Sequence, residues 1–84
     1  MPKTTHINIT MDFRQKASGG YVYDLRIPTQ LTVKQLLLNV METLNIERTN
    51  TKSSIKIVNK NIVLADDDFI DDHPVADGDI LVVL

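Results

Sequence analysis

Cysteine is absent from this 84-residue chain. Its absence excludes disulfides, thiolate metal sites and cysteine nucleophiles, and it fits a reducing compartment. No apolar run approaches the roughly 20 residues that a membrane-spanning helix needs. The polar start of the chain, Met1 to His6, also lacks the apolar stretch of a signal peptide. We therefore expect a cytoplasmic protein that does not insert into a membrane.

Basic residues are missing from the last part of the chain. All nine lysines and arginines lie at or before Lys60, which gives that part a net charge of +5, whereas the remainder holds seven aspartates and a charge of −7. The overall charge of −2 gives no general attraction to nucleic acid. A short basic stretch, Arg48, Lys52, Lys56 and Lys60, has no interleaved aromatic residues, and we interpret it as a solvated edge.

Recognisable catalytic and metal-binding motifs are missing as well. His6 and His73 are far apart, and neither has a serine, cysteine or aspartate at the spacing of a triad. The acidic run Asp66–Asp72 suggests a cation site, because hard cations prefer clustered carboxylates, but it lacks the glycine and final glutamate of an EF-hand loop. We interpret it as a solvated loop. We predict no catalytic, cofactor-binding or metal-binding residue.

Length and composition indicate one small globular domain. The chain is 43% hydrophobic and 24% charged, which are values typical of globular proteins. A chain of this length buries only about 60 to 65% of the surface that it exposes when unfolded. We therefore predict a single domain over residues 1–84, with residues 1–4 flexible.

The most clearly marked element is a helix from Leu31 to Ile46. Thr32 and Gln35 have the spacing of a capping box, and Asn45 can adopt the left-handed conformation that ends a helix in a Schellman motif. Apolar residues recur at helical spacing on one face: Val33, Leu36, Leu37, Val40, Met41 and Leu44. A single apolar face of this kind needs a sheet to cover it.

Five short segments have the patterns of β-strands. Apolar and polar residues alternate in the first two, which Gly19-Gly20 separates as a hairpin loop, and the last is an unbroken apolar run. Asp68 is a candidate cap for one short helical turn, with Phe69 and Ile70 as its apolar anchors. The predicted strands cover residues 6–13, 21–27, 55–58, 62–64 and 80–84.

The order of these elements predicts an α+β fold of the type ββαββ, short turn, β. A hairpin on each side of the helix leaves the last strand to pair in parallel with the first, beneath the helix. This is the ubiquitin-like β-grasp fold, in which a mixed five-stranded sheet packs on one main helix. The unbroken apolar run at residues 80–84 suits the central strand of such a sheet.

Several short motifs resemble those of a known family. The ending is similar to that of ubiquitin-fold domains generally: Leu64-x-x-Asp67-x-x-Ile70-x-Asp72-x-x-Val75-x-Asp77-Gly78-Asp79-x-Leu81-x-Val83-Leu84. Three further segments resemble the YukD/EsaB family of small ubiquitin-like proteins: Ile7-x-Ile9-Thr10-x-Asp12-Phe13, Tyr23-Asp24-Leu25 and Ile57-Val58-Asn59-Lys60. Each motif is short, but their order and spacing agree over nearly the whole chain.

The resemblance implies a cytoplasmic accessory component of the type VII (WXG-type, ESX-like) secretion machinery of Gram-positive bacteria. We expect a non-catalytic adaptor that binds another cytoplasmic protein, either the cytosolic part of the secretion ATPase or a neighbouring component. The alternative is a ubiquitin-like modifier or sulfur carrier that acts through its C-terminus. Such proteins need a flexible tail ending in Gly-Gly, whereas this sequence stops at Leu84 within a predicted strand, so we expect no conjugation.

The sheet face opposite the helix is the candidate binding surface. If Ile7, Ile9, Ile55, Ile57, Ile80 and Val82 face the helix, alternation turns other strand residues outward. The predicted protein-binding residues are Val58, Leu81 and Val83, with Asn8, Thr10 and Lys56 beside them. A contiguous apolar patch of this kind marks a binding surface, but isolated exposed aliphatic residues need no such explanation. Both readings stay open, as does homodimer formation through this face.

Overall fold

A computed structural model describes residues 5–15, 21–46 and 54–84 of the chain. The main elements are β1 (His6–Asp12), β2 (Val22–Pro28), α1 (Val33–Thr43), β3 (Ile55–Ile57), β4 (Ile62–Leu64) and β5 (Ile80–Val83). Two short 3₁₀ turns cover Val58–Lys60 and Ile70–Asp72. The predictions for residues 1–4 and for the loop at Gly19-Gly20 fall outside the described residues.

The five strands form one mixed sheet in the order β2-β1-β5-β3-β4. β5 lies at its centre, parallel to β1 and antiparallel to β3, and both hairpins are antiparallel. The helix α1 contributes Val33, Leu36, Leu37 and Met41 to the same buried core as the apolar residues of the strands. This arrangement confirms the predicted β-grasp fold.

Both ends of α1 are closed by the side chains and backbone groups that the sequence predicts. The amide of Gln35 donates to Thr32 Oγ1 at 3.2 Å, and the amide of Thr32 donates to Gln35 Oε1 at 3.1 Å. At the other end, Asn45 has a φ of 57°, and the amide of Ile46 donates to the carbonyl of Met41 at 2.8 Å. Because the flanking residues serve as caps, the helix itself is shorter than the predicted span.

The short turn before β5 differs from its prediction in two details. The 3₁₀ turn starts after Phe69, and the Asp68 carboxylate instead accepts a hydrogen bond from the Ala65 amide at 2.9 Å. Asp68 is therefore not the cap of this turn. Ile70 is buried, which confirms it as an anchor, whereas Phe69 is 47% exposed and is not one. Only the backbone of Phe69 is held, through a bridge to Thr32.

The orientation of β5 is opposite to the prediction. Leu81 stands opposite Ile57 and Val83 opposite Ile55, and residues directly opposite each other share a sheet face. Leu81 and Val83 are accordingly buried, at 1% and 0% exposure, on the helix side. The prediction that they face outward, and that Ile80 and Val82 face the helix, is therefore wrong. An unbroken apolar run has no alternation, so its register with β1 and β3 decides which side chains are buried.

The orientation of β5 predicts that two neighbouring residues respond very differently to truncation. Leu81→Ala should lower the free energy of unfolding by about 2 to 5 kcal/mol, because it leaves a cavity in the core. Ile80→Ala should cost less than about 1 kcal/mol, since Ile80 is 41% exposed. Urea denaturation followed by circular dichroism measures both, and a larger loss for Ile80→Ala would contradict this register.

Candidate protein-binding face

The sheet face turned away from α1 is here called the open face. The strand register places its side chains in rows that cross the sheet. The first row runs from β4 to β2 through Val63, Lys56, Val82, Asp12 and Val22. The second contains Ile80, Thr10 and Asp24, and the third contains Asn8 and Arg26. The open face thus has an apolar half on β3, β4 and β5 and a polar half on β1 and β2.

The apolar half exposes three large aliphatic side chains. Val63 is 55% exposed, Val58 is 46% exposed and Ile80 is 41% exposed. Val58 is the residue after Ile57, which pairs with Leu81. Extending this antiparallel register by one residue sets Val58 beside Ile80. Lys56 stands between Val63 and Val82 in the first row. The register therefore places three exposed aliphatic side chains near one lysine, and a group of exposed apolar residues of this kind is a candidate protein-binding surface.

Hydrogen bonds between side chains order the polar half. Thr10 Oγ1 donates to Asp24 Oδ1 at 2.8 Å. Arg26 Nη1 donates a longer bond to Asn8 Oδ1 at 3.5 Å. With Gly78, these four residues line a shallow cleft of about 340 Å³. The cleft offers hydroxyl, amide, carboxylate and guanidinium groups to a polar partner.

Asp12 lies on the open face but is buried, because Arg14 covers its carboxylate. Arg14 Nη2 donates to Asp12 Oδ2 at 2.8 Å, and the Arg14 amide donates to Oδ1 at 2.9 Å. The side-chain and backbone hydrogen bonds from Arg14 hold the pKa of Asp12 below its usual range. Asp12 therefore stays ionised at neutral pH and serves to fix the end of β1.

Asp79 anchors the start of β5 through a buried ion pair. Lys60 Nζ lies 2.7 Å from Asp79 Oδ2, and Asn59 Nδ2 donates to Oδ1 at 2.8 Å. The amide of Ala76 also donates to Oδ2, at 2.9 Å, and Lys60 donates to the carbonyl of Pro74. Burial acts to raise the pKa of Asp79, but the hydrogen bonds from Lys60, Asn59 and Ala76 outweigh it, so the pKa lies below its usual value.

The residues just before β5 are tied to β1 as well. The amide of Asn8 donates to Asp77 Oδ1 at 2.7 Å, and the amide of Gly78 donates to the carbonyl of Asn8 at 2.8 Å. Gly78 has a φ of 87°, a conformation that favours glycine. The next bond runs from the amide of Thr10 to the carbonyl of Asp79 at 2.9 Å. These contacts set Ile80 beside Thr10 on the open face.

The structure separates the six predicted protein-binding residues into two groups. Val58, Lys56, Thr10 and Asn8 lie on or beside the open face. Leu81 and Val83 belong to the core, and the prediction that they are exposed there is corrected. Sequence reasoning missed Val63 and Ile80. The lysine in Ile55-Lys56-Ile57 marks the outward position of β3, and pairing that strand with β4 and β5 would have identified both residues.

Other chemistry on the described residues is limited. Across residues 5–15, 21–46 and 54–84, no three histidine, cysteine, aspartate or glutamate side chains come together in a way that could hold a metal ion. His6 Nδ1 lies 3.0 Å from Thr5 Oγ1, and His73 Nε2 lies 3.8 Å from Asp68 Oδ2. None of the helices in these ranges is long and apolar enough to cross a membrane.

Comparison with known proteins identifies relatives along nearly the whole chain. A family model described as "WXG100 protein secretion system (Wss), protein YukD" matches residues 6–83. The type VII secretion system accessory factor EsaB of Staphylococcus aureus strain Newman is 35% identical over 79 residues, which cover 94% of this chain and 96% of that protein. EsaB of strain COL matches with the same identity and coverage.

A solved structure with a TM-score above 0.5 shows the same fold at lower sequence identity. A chain from the structure titled "Molecular Mimicry of SUMO promotes DNA repair" has a TM-score of 0.74 and 18% identity, covering 99% of this chain and 95% of that chain. A ubiquitin-like protein from the archaeon Caldiarchaeum subterraneum has a TM-score of 0.45 and 22% identity, covering 94% and 92%.

The Asp79 anchor should make part of the stability dependent on pH. A folded-state pKa below the ordinary value of 3.8 means that Asp79 stabilises the fold at neutral pH and loses this contribution as the pH falls below 3.8. Asp79→Asn should cost about 2 kcal/mol at pH 7 and show a smaller further loss in acid than the wild type. Urea unfolding at pH 7 and below pH 3.8 measures both effects. An unchanged acid dependence in the variant would contradict the role assigned to Asp79.

Proposed function

The chain belongs to the YukD family of the WXG100 protein secretion system, and from this premise we propose that it acts as a non-catalytic adaptor. It is a type VII secretion accessory factor with a ubiquitin-like fold. In this proposal it binds another protein of the machinery through the open face, in the cytoplasm. The observation that carries the proposal is the contiguous exposure of Val58, Val63 and Ile80 beside Lys56.

The two halves of the open face suit protein binding in different ways. The aliphatic side chains of the apolar half supply surface whose removal from water favours formation of a complex. The polar half fixes the orientation of the partner, because Thr10, Asp24 and Arg26 are held by hydrogen bonds on neighbouring strands. We infer a partner with an apolar centre and a polar rim. The cytosolic part of the secretion ATPase is the first partner to test, followed by its neighbouring components.

The proposed role can be tested by replacing exposed apolar residues without adding charge. The double variant Val63→Ser/Ile80→Ser should unfold close to the wild-type midpoint, since both side chains are more than 40% exposed. It should fail to restore secretion of WXG100 proteins in a strain from which the native gene is deleted. Immunoblotting of the culture medium against a cell-lysis marker measures this.

Phe69→Ser is the matched control for that experiment. Phe69 is exposed to a similar degree, but it lies in the turn beside α1 and not on the open face. We expect Phe69→Ser to restore secretion fully. Full secretion with the folded double variant, or equal loss with both variants, would contradict a specific role for the open face.

The alternative function is that of a modifier or sulfur carrier that acts through the C-terminus. Residues Ile80–Val83 pair with β1 on one side and β3 on the other, so this segment cannot act as a thin, flexible tail. The adaptor proposal predicts a single unmodified mass for the protein purified from native cells. Intact-mass spectrometry measures it, and covalent adducts or a thiocarboxylate would favour the alternative.

A further inference from the structure

β2 forms one edge of the sheet, and its backbone pairing shows which groups point away from the sheet. The amide of Phe13 donates to the carbonyl of Tyr21 at 3.1 Å, and the amide of Thr29 donates to the carbonyl of Thr5 at 3.0 Å. In an antiparallel pair such bonds recur at every second residue, so the odd-numbered residues of β2 bond to β1. The even-numbered residues, Val22, Asp24, Arg26 and Pro28, turn their backbone groups to the outer edge.

No described strand pairs with this outer edge. Pro28 is the last residue of this edge and leaves no amide unpaired, because proline has no backbone N–H. Three amides and four carbonyls of the even-numbered residues remain for another strand. An apolar groove of about 210 Å³ runs alongside, between β2 and α1. Its aliphatic lining residues are Leu25, Ile27, Leu36, Val40 and Leu44.

We propose that the β2 edge binds the β2 edge of a second copy of this chain. The two strands run antiparallel about a two-fold axis at Leu25 and join the two sheets into one continuous sheet. This inference does not depend on the function proposed for the open face. It rests on the alternation of charge along the edge, which makes β2 complementary to itself in one register only.

The three registers closest to the middle of β2 differ in the charges that face each other. An axis at Leu25 places Asp24 opposite Arg26 of the second copy, and Arg26 opposite its Asp24, giving two ion pairs. Moving the axis to residue 24 places the two Asp24 carboxylates opposite each other, and moving it to residue 26 does the same with the two Arg26 side chains. Opposite charges that face each other across strands are favourable and like charges are unfavourable. The charge pattern therefore selects the axis at Leu25.

In the single chain, the side chains of Asp24 and Arg26 can each form further polar contacts. Asp24 accepts one bond through Oδ1, from Thr10. Arg26 makes one long bond to Asn8, and none of the described carboxylates lies within ion-pair distance of it. The existing bonds hold both side chains on the open face without neutralising Arg26. An acidic group opposite Arg26 is the complement that this edge lacks.

The other side-chain pairs of this register are compatible as well. On the helix side Leu25 meets Leu25, and Ile27 meets Tyr23 of the second copy, which covers apolar surface beside the groove. On the open face Val22 meets Pro28. The Val22 amide donates to the Pro28 carbonyl, and the reciprocal bond to the Val22 carbonyl is missing because proline has no amide hydrogen. The two open faces then lie on the same side of the joined sheet.

Charge reversal tests both the dimer and its register. The wild type should show a concentration-dependent rise to twice the mass of one chain in sedimentation equilibrium. Asp24→Arg and Arg26→Asp should each weaken the dimer about tenfold or more, because each turns both ion pairs into like-charge pairs. The double variant Asp24→Arg/Arg26→Asp should regain it. An equimolar mixture of the two single variants should also form a dimer, since every facing pair is then complementary.

Lys34→Asp, a charge reversal on the exposed surface of α1, is the control and should leave the wild-type dimer unchanged. Circular dichroism confirms that each variant is folded. In the wild type, amide exchange at Asp24 and Arg26 should slow as concentration rises, which tests the edge without any substitution. A single-chain mass up to about 1 mM would overturn the proposal. Single variants that dimerise as well as the wild type, or no recovery in the folded double variant and the mixture, would overturn it too.

Discussion

The ion pair between Asp79 and Lys60 is the contact on which the arrangement of the sheet depends. It joins the residue before β5 to the turn after β3, and it is reinforced by Asn59 and by the amide of Ala76. The Asn8 amide also donates to the Asp77 carboxylate, and the Gly78 amide donates to the Asn8 carbonyl. Together these contacts fix the position of β5 along its two neighbouring strands. In this position Leu81 and Val83 point into the core, and Ile80 points to the open face. The carboxylate of Asp79 therefore helps to hold β5 in the register that buries Leu81 and exposes Ile80.

Local chemistry made the helix and the first hairpin predictable. The capping box and the left-handed Asn45 involve groups within a few residues of each other, and the alternation in β1 identifies its buried face directly. The orientation of β5 depends on distant residues. Its side chains are all apolar, so the sequence offers two orientations, and only the pairing of β5 with β1 and β3 distinguishes them. Asp68 differs for a local reason, because its carboxylate accepts a hydrogen bond from the Ala65 amide three residues earlier instead of capping the following turn.

The motifs that carry the family resemblance prove to be contacts that build the fold. The Asp77-Gly78-Asp79 segment meets Asn8 of the first motif and Asn59-Lys60 of the third, although these segments are far apart in sequence. Their order and spacing therefore identified the fold and the family well. They carried little information on the open face, where the side chains of Val63 and Ile80 are aliphatic and make no polar contact. Exposed aliphatic residues of a binding surface have the same side chains as ordinary exposed aliphatics, so residue type alone does not distinguish them.

Thr10, Asp24, Asn8 and Arg26 connect the open face with the edge of the sheet. Their mutual bonds leave the guanidinium of Arg26 without an acidic partner among the described residues, at an edge that alternates in charge. A dimer through this edge supplies that partner and sets two open faces side by side. Two weak sites held together bind a partner with two matching surfaces more tightly than either alone, because the second contact becomes intramolecular. In the proposed dimer, a small domain with a modest apolar patch gains avidity without a larger interface on any one chain.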